Sequence, residues 1–488
     1  MMGSQLQTPP KRSLRSSQSN HITKQQTKAR YFLAWRWHFY AGLFVIPFMI
    51  MLSITGLIML FDDEIEQLRY SEIINVIPEG NALAPSKQLD SVKVKYPNAK
   101  ITQFIASDSL DQANRFNVSL GDGQSVLVTV NPYTGEVIGE IDRNNSWYQL
   151  ANDIHGTLLI GKWGDYLIEI AASLAILLLV SGIYLWLPKD QASRAGFLKL
   201  RVNKGVRVFM RDLHANLGGA LSFVLLMFLL SGLAWTGVWG AKLVQGWNTF
   251  PTYYTWGDKP ESVLVHQDLN HGSEEELPWN LEQSPVPQSN GHHGSHHAHH
   301  STASSDLTNS IGLDHIIAQA RQLGFTKFKV FLPQSKTGVY TVAANSMAGD
   351  VTDPRQDRTT HFDQYSGDIL VDVTWEDYTL VAKLMAAGVS LHQGDLSLIN
   401  KMLNALFCVA LVIISMTGVA MWWVRRPVNQ GKLGVPPRFV EEGVWKVGLA
   451  SVIATSILFP LAGLTIIAMF CLDALIVRKN ARLAQYFS

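Results

Sequence analysis

Long hydrophobic runs alternate with polar segments along the chain. A helix that crosses a bilayer needs roughly 20 consecutive apolar residues. Four runs meet this requirement: Phe39–Phe61, Tyr166–Leu187, Leu217–Trp239 and Met402–Val424. A fifth stretch, Val447–Val477, contains Pro460 and is long for one span but short for two. The pattern predicts an α-helical membrane bundle with four core spans and a C-terminal hydrophobic span or hairpin.

Basic residues in the intervening segments predict the orientation. Residues 1–37 hold seven basic and no acidic residues, 188–213 hold seven and two, and 425–446 hold five and two. Residues 62–156 hold seven basic against fourteen acidic, and 241–391 hold nine against seventeen. Lys and Arg are retained on the cytoplasmic side of a membrane. We therefore expect a multi-pass protein of the bacterial inner membrane, with a cytoplasmic N-terminus and both long segments in the periplasm.

The two long segments have the pattern of small α+β modules rather than of linkers. Each has one predicted helix followed by three predicted strands, with turn residues between them. The predicted helices are Ser91–Tyr96 and Leu313–Leu323, and the predicted strands are Lys100–Ile105, Arg115–Leu120, Ser125–Val130, Lys327–Leu332, Gly338–Ala343 and His361–Phe362.

These features divide the chain into ten predicted segments. They are a cytoplasmic basic tail (1–37), a first span (38–61), a first periplasmic module (62–154), a second span (155–187), a cytoplasmic basic loop (188–213), a third span (214–240), a second periplasmic module (241–391) with a His-rich insert (291–300), a fourth span (392–424), a cytoplasmic loop (425–446) and the C-terminal hydrophobic span or hairpin (447–477).

Composition excludes several classes of protein. Only 16% of the residues are charged, whereas an ordinary soluble domain has about 25%. The net charge of +1 gives no general attraction to nucleic acid. Cys408 and Cys471 are the only cysteines, which excludes a disulfide scaffold, a cysteine-based zinc site and an iron–sulfur cluster.

The order of span, module and span occurs twice, which predicts an internal duplication. His38 precedes Gly56 by 18 residues, and His214 precedes Gly232 by the same 18. Each of these glycines follows a hydroxyl-bearing residue and precedes a leucine. The second and fourth spans match in the same way, because a histidine precedes a hydroxyl-Gly pair by 27 residues in one and 26 in the other.

One histidine begins each core span: His38, His155, His214 and His392. An imidazole at such a position is expensive unless its hydrogen bonds are satisfied. Two of these spans run outward and two run inward, so we expect His38 and His214 near the cytoplasmic face and the other two near the outer face. Two imidazoles facing each other across a bundle are the axial ligands that a six-coordinate b-type haem requires. Gly42 and Gly218 lie one helical turn after His38 and His214 and would let a porphyrin approach the backbone.

Three other interpretations of these histidines stay open. They are capping or interfacial residues, a zinc site, and a proton relay. Zinc needs four ligands at one point, whereas these histidines divide between two faces. A relay needs a chain of acids, and Glu169 and Asp473 are too few for it.

A second group of histidines lies in the insert of the second module. It consists of His292, His293, His296, His297, His299 and His300. Such a tract is a candidate for periplasmic metal binding. The alternative is a solvated insert without a ligand, since Ser, Pro and Gly flank it.

The sequence shows no nucleotide-binding glycine loop, so neither an NAD nor a flavin domain is expected.

The chain resembles the PepSY-associated transmembrane family. The resemblance covers about 30–475 and rests on His-x3-Gly…Thr-Gly-Leu in the first span, on Leu391-His392-Gln-Gly, and on Trp422-Trp423-Val-Arg-Arg-Pro427. It implies two haem b groups with the four span histidines as ligands. Some members are ferric-siderophore reductases, which implies outward electron transfer to a ferric chelate in the periplasm. The chain lacks the flavoprotein domain that some relatives carry, which leaves a quinol or a cytoplasmic reductase as the electron donor.

Two alternatives to this function are kept. The first is a membrane-anchored regulatory protein whose modules bind a periplasmic partner and whose histidines are structural. The second is a metal transporter with the His-rich insert as a collecting arm.

Overall fold

The structure is a computed structural model that describes residues 11–107, 109–121, 124–189, 194–245, 262–270, 276–289, 310–427, 432–437 and 445–487, without the side chains of 11–26. Within these ranges, four helices are long and apolar enough to span a membrane: Thr27–Leu60, Lys162–Trp186, Leu398–Arg425 and Pro460–Val477. A bent pair, Val206–Ala220 and Ser222–Leu233, passes the same test as one span. The described helices therefore support a multi-pass membrane protein.

The helices are named in chain order. They are α1 (Lys11–Leu60), α2 (Asp62–Ile74), α3 (Pro85–Lys95), α4 (Trp147–Thr157), α5 (Lys162–Trp186), α6 (Val206–Ala220), α7 (Ser222–Leu233), α8 (Leu313–Gln322), α9 (Leu380–Gln393), α10 (Leu398–Arg425), α11 (Lys446–Leu458), α12 (Pro460–Leu472) and α13 (Ala481–Tyr486). Two compact units contain them. The helical unit consists of residues up to Met51, Tyr166–Leu229 and Val409–Ser488, and the sheet unit consists of Leu52–Asp165 and Leu230–Cys408.

The second predicted span, 155–187, does not begin at its histidine. His155 lies on α4, and the spanning helix α5 starts only at Lys162. Leu158 and Leu159 between them have left-handed backbone, with φ of 52° and 60°. This conformation ends a helix, so it separates the histidine from the span that follows.

The third and fourth predicted spans are also interrupted. The chain bends by 59° between α6 and α7 inside the predicted span 214–240, and His214 lies on α6. His392 lies on α9, which ends at Gly394 with φ of 90° before α10 begins at Leu398. His155 and His392 therefore precede their spanning helices, whereas His38 lies within α1.

The C-terminal hydrophobic stretch 447–477 forms two helices. Phe459 separates α11 from α12 and has the non-helical φ of −128°. Pro460 is the first residue of α12, where its missing N–H leaves no hydrogen bond unmade. Only the second part, Pro460–Val477, is long and apolar enough to span, and Lys446–Leu458 is a shorter apolar helix.

The sheet unit contains one antiparallel sheet of eight strands in the order β4-β3-β2-β1-β5-β6-β7-β8. The strands are β1 (Lys100–Ile105), β2 (Asn114–Ser119), β3 (Ser125–Val130), β4 (Val137–Ile141), β5 (Lys329–Phe331), β6 (Val339–Ala344), β7 (Arg358–Asp363) and β8 (Ile369–Thr374). The two predicted modules are thus not separate, since β1 pairs with β5, for example Phe104 with Val330. All six predicted strands form, while β4 and β8 were not predicted.

The two halves of the sheet share a hydrophobic core on one face. Side chains alternate between the faces of a strand, so Phe104 of β1 and Val330 of β5 point into the same core. Helices α3 and α8 cover it with Val92 and Ile316, both fully buried. The opposite face carries buried polar residues, among them Thr341 and His361.

Candidate functional site

His38 is held by the neighbouring spanning helix α5. Its Nδ1 lies 3.0 Å from the Leu178 carbonyl oxygen and 3.1 Å from the Ser181 hydroxyl. Gly182 follows that serine, and a Cβ placed on it would lie 3.1 Å from Cε1 of the imidazole. The hydroxyl and carbonyl therefore fix the ring, while the glycine leaves room for it.

His214 is held in the same way by α10. Its Nδ1 lies 2.9 Å from the Ile414 carbonyl oxygen and 3.4 Å from the Thr417 hydroxyl. A Cβ on Gly418 would lie 3.3 Å from Cε1 of His214. In both cases the carbonyl belongs to the residue three positions before the hydroxyl. We call this combination of hydroxyl, glycine and imidazole the histidine clamp.

The backbone carbonyls beside the clamp determine the tautomer of both rings. A carbonyl oxygen can only accept a hydrogen bond, so Nδ1 of His38 and of His214 must carry the proton that it donates. The Nε2 atom of each neutral ring then has a lone pair. A second hydrogen bond that orients a metal-binding imidazole in this manner is a regular feature of metal sites.

The rings of His38 and His214 lie next to each other with perpendicular planes. Their centroids are 6.2 Å apart and their planes are inclined by 89°. No hydrogen bond joins these two described residues. Another pair of rings in this chain, His266 and His361, has Nε2 atoms hydrogen-bonded at 2.9 Å and ring centroids 4.9 Å apart. The centroid distance between His38 and His214 is 1.3 Å longer. Two metal–nitrogen bonds of about 2 Å each require an increase of this size.

His155 and His392 are clamped in the sheet unit. Nδ1 of His155 lies 2.8 Å from the Thr55 hydroxyl, and Nδ1 of His392 lies 2.8 Å from the Ser231 hydroxyl. A Cβ on Gly56, which follows Thr55, would lie 3.8 Å from Cε1 of His155. The corresponding distance from Gly232 to Cε1 of His392 is 3.6 Å. All four clamps thus use the hydroxyl-Gly pairs.

The end of α9 is tied down around His392. The Asn404 side-chain amide donates to the backbone oxygens of Leu391 and His392, at 2.7 and 3.0 Å. Asn400 also donates to the Leu391 oxygen, at 3.0 Å. These bonds satisfy the last carbonyls of the helix, which would otherwise lack partners, and they hold the short helix that carries the histidine.

Gly42 and Gly218 differ in their surroundings. A Cβ on Gly218 would meet no atom within 4 Å, whereas one on Gly42 would lie 3.6 Å from Leu178. Only Gly218 therefore borders open space next to its helix. The four clamped imidazoles are half-buried rather than sealed in the protein.

A zinc site receives no support from the part of the chain that the structure describes. No group of three or more His, Cys, Asp or Glu side chains there is arranged to hold a metal ion. The His-rich tract of 292–300 lies outside the described residues, so its predicted metal binding stays a prediction.

A second pair of histidines was not predicted as a site. His266 and His361 are fully buried on the polar face of the sheet. The Ser284 carbonyl accepts from Nδ1 of His266 at 2.8 Å, so Nε2 of His266 accepts from Nε2–H of His361 at 2.9 Å. The Thr341 hydroxyl completes this chain by donating to Nδ1 of His361 at 2.8 Å. No spacing in the sequence signals this pair, because 95 residues separate its members.

Burial keeps this second pair neutral. Desolvation lowers the pKa of His266 to about 4, and the hydrogen bond to the Ser284 carbonyl opposes the shift. Desolvation also holds the pKa of His361 well below its usual range, and repulsion from His266 adds to the effect. The pair is therefore a neutral hydrogen-bonded unit at ordinary pH.

Spanning helices together with a folded sheet unit define a multi-pass membrane protein. The chain belongs to the PepSY-associated TM region family, whose family model matches residues 35–425. This range includes all four clamped histidines and confirms the resemblance found in the sequence. No curated protein sequence matches the chain.

We expect acid to destabilise the strands around His266 and His361. Below pH 6.5 the unfolded state takes up protons that the folded pair refuses, so stability falls as the pH drops toward 4. His266 alone accounts for a loss of about 1.5 kcal/mol between pH 6.5 and 5, and His361 adds to it in the same direction. Amide hydrogen exchange of β6 and β7 at the two pH values measures it.

The double variant His266→Gln/His361→Gln tests the cause. It should remove most of this pH dependence, whereas the variant of the exposed His315, His315→Gln, should leave it intact. Equal pH dependence in the double variant and the parent protein would contradict this explanation.

Proposed function

We propose that this protein is a di-haem b electron carrier of the bacterial inner membrane that reduces a ferric chelate, such as a ferric siderophore, in the periplasm. The observation that carries the proposal is the His38–His214 pair. Its rings are 6.2 Å apart, and each has Nδ1 tied to the backbone of another helix. This arrangement suits two axial ligands of one metal.

Haem fits the donor set better than a bare metal ion does. Two imidazoles alone leave a zinc ion without its remaining ligands, whereas a porphyrin supplies four nitrogens itself. The open space beside Gly218 suits a flat group that lies against a helix. When bound, haem supplies one-electron chemistry, and the family match agrees with a membrane protein of this kind.

Each part of the clamp has a distinct role in the proposal. The histidines would bind iron through Nε2. The carbonyls of Leu178 and Ile414 hold the proton on Nδ1, which orients the ring and increases its basicity. The glycines let the imidazole lie close to the next helix.

His155 and His392 would bind the second haem. Thr55 donates its hydroxyl hydrogen to the Leu52 carbonyl at 3.3 Å and so accepts from Nδ1 of His155. His155 therefore has the same tautomer as His38 and His214, with the lone pair on Nε2. Two sites of the same construction are what the proposed internal duplication would give.

The direction of electron transfer follows from the proposed topology. With the topology expected from the basic segments, the N-terminus and the first haem would lie toward the cytoplasm, where a quinol or a cytoplasmic reductase would donate electrons. The acidic sheet unit would lie in the periplasm and would present the ferric chelate to the second haem.

Optical spectroscopy of the purified protein tests the proposal. We expect a Soret band that shifts on dithionite reduction, and a pyridine haemochrome assay that gives two haem b groups per chain. His214→Ala should remove about one haem, while the variant of the exposed His315, His315→Ala, should keep both. A colourless and functional protein would favour the regulatory alternative, and metal uptake into proteoliposomes without a reductant would favour the transporter.

The clamp can be tested separately. Ser181→Ala removes the hydroxyl at His38, and loss of such an outer partner lowers metal affinity by about ten- to a hundredfold. Gly182→Leu places atoms where the imidazole now lies and should abolish binding of one haem. Titration of haem into the full-length apoprotein measures both effects.

Ser451→Ala is the matched control. The Ser451 hydroxyl bonds only to the Val447 carbonyl of its own helix, so haem affinity should stay unchanged. Parental affinity in both clamp variants would contradict the role assigned to the hydroxyl-Gly pair.

A further inference from the structure

Two arginines lie on the same side of the His38–His214 pair. Arg207 precedes His214 by seven residues on α6, and Arg425 follows Gly418 by seven residues on α10. A Cβ on Gly418 would lie 3.3 Å from Cε1 of His214, so α6 and α10 pass close to each other at the level of that histidine. Seven residues of helix correspond to about 10 Å. Both arginines therefore lie about two helical turns from the level of the histidines, on the same face of their helices as His214 and Gly418.

Arg425 is packed between aromatic rings of α1. Its Cζ lies 4.7 Å from the ring centroid of Trp35 and 5.4 Å from that of Phe39. Trp35 lies one turn before His38, and Phe39 directly follows it. Arg425 thus occupies the space next to the helix that carries His38, and its position connects α10 to both histidine-bearing helices.

The hydrogen bonding of Arg425 is incomplete among the described residues. One terminal nitrogen donates to the Gly434 carbonyl at 2.9 Å. Its Nε is buried and has no hydrogen-bond partner. A buried donor without a partner costs free energy, and the cost is greater for a charged group.

The described residues provide no carboxylate for these two arginines. The acidic residue nearest to them along α6 is Asp212, which already binds Arg201 at 2.7 Å and Arg211 at 2.8 Å. Arg207 is exposed and Arg425 is packed against aromatic rings, and an anion held between two such cations stabilises both. Guanidinium groups bind carboxylate and phosphate in a bidentate manner.

We infer that Arg207 and Arg425 form a site for the two carboxylates of the haem held by His38 and His214. This inference rests on the proposed function. A porphyrin of this type carries both carboxylates on one edge, which suits two arginines on the same side of one ligand pair. A lipid phosphate has the same charge, but the packing of Arg425 against the rings beside His38 directs it into the helical unit.

The site would fix the orientation of the haem and tune its potential. Both carboxylates would point toward the basic end of the helical unit. Reduction adds one negative charge to the haem, and nearby positive charges favour it. Removing either arginine should therefore lower the midpoint potential of this haem and leave that of the other unchanged.

Substitution of the two arginines tests this site. In Arg425→Gln and Arg207→Gln we expect haem to dissociate about tenfold faster or more, since each variant removes a charge-assisted hydrogen bond. Redox titration should show a lower potential for one haem only. Arg425→Lys keeps the charge and should retain most of the parental potential.

Arg426→Gln is the matched control. Arg426 is the next residue and stacks on Trp423, with its Cζ 3.3 Å from the ring centroid. Both midpoint potentials and the haem content should stay at parental values in this variant. A drop equal to that of Arg425→Gln would contradict a specific site and indicate a general effect of surface charge.

Haem dimethyl ester identifies the anion, because it lacks free carboxylates. Loaded into the full-length apoprotein, it should dissociate equally fast from the parent and from Arg425→Gln. A persistent difference between them would overturn the assignment. Loss of co-purified anionic lipid in the variants, with an unchanged potential, would show that a lipid phosphate is bound instead.

The outcomes separate this inference from the proposed function. If the parent protein binds two haem groups and both variants keep parental potentials and dissociation rates, the carboxylate site is wrong and the di-haem proposal stands. If the parent protein binds no haem, both are overturned.

Discussion

Each of the four clamped histidines is fixed by a hydrogen bond between its Nδ1 and a neighbouring helix. An imidazole N–H in an apolar environment requires a partner, and here a hydroxyl supplies it, with a backbone carbonyl in addition at His38 and His214. At His38, His155 and His214 the same bond leaves the lone pair on Nε2. Packing of the helices and the chemistry of the imidazoles are thus set by one interaction, and the glycine after the hydroxyl makes the approach possible.

The interruptions of the helices also position the histidines. Left-handed residues at Leu158 and Gly394 end α4 and α9 just after their histidines. The imidazole then lies at the end of a short helix, where its orientation is independent of the span that follows. In the helical unit no such break is needed, because His38 lies inside α1 and His214 lies inside α6.

Regular spacing made the histidines and six strands predictable from the sequence. The joining of β1 to β5 was not predictable, because this pairing is non-local and the modules looked alike and complete by themselves. Neither was the second pair, since His266 begins a single short 3-10 turn and meets His361 only through the fold. The hydroxyl-Gly pairs were recognised as repeats, but their contact with the imidazoles required the helix packing.

Electron paramagnetic resonance of the oxidised protein tests the central claim most directly. Perpendicular imidazole planes, as the 89° between His38 and His214 specifies, should give a low-spin ferric haem signal with one very large g value. That signal should disappear in His38→Ala. A protein with no haem signal, or with a high-spin signal typical of a single axial ligand, would contradict the account.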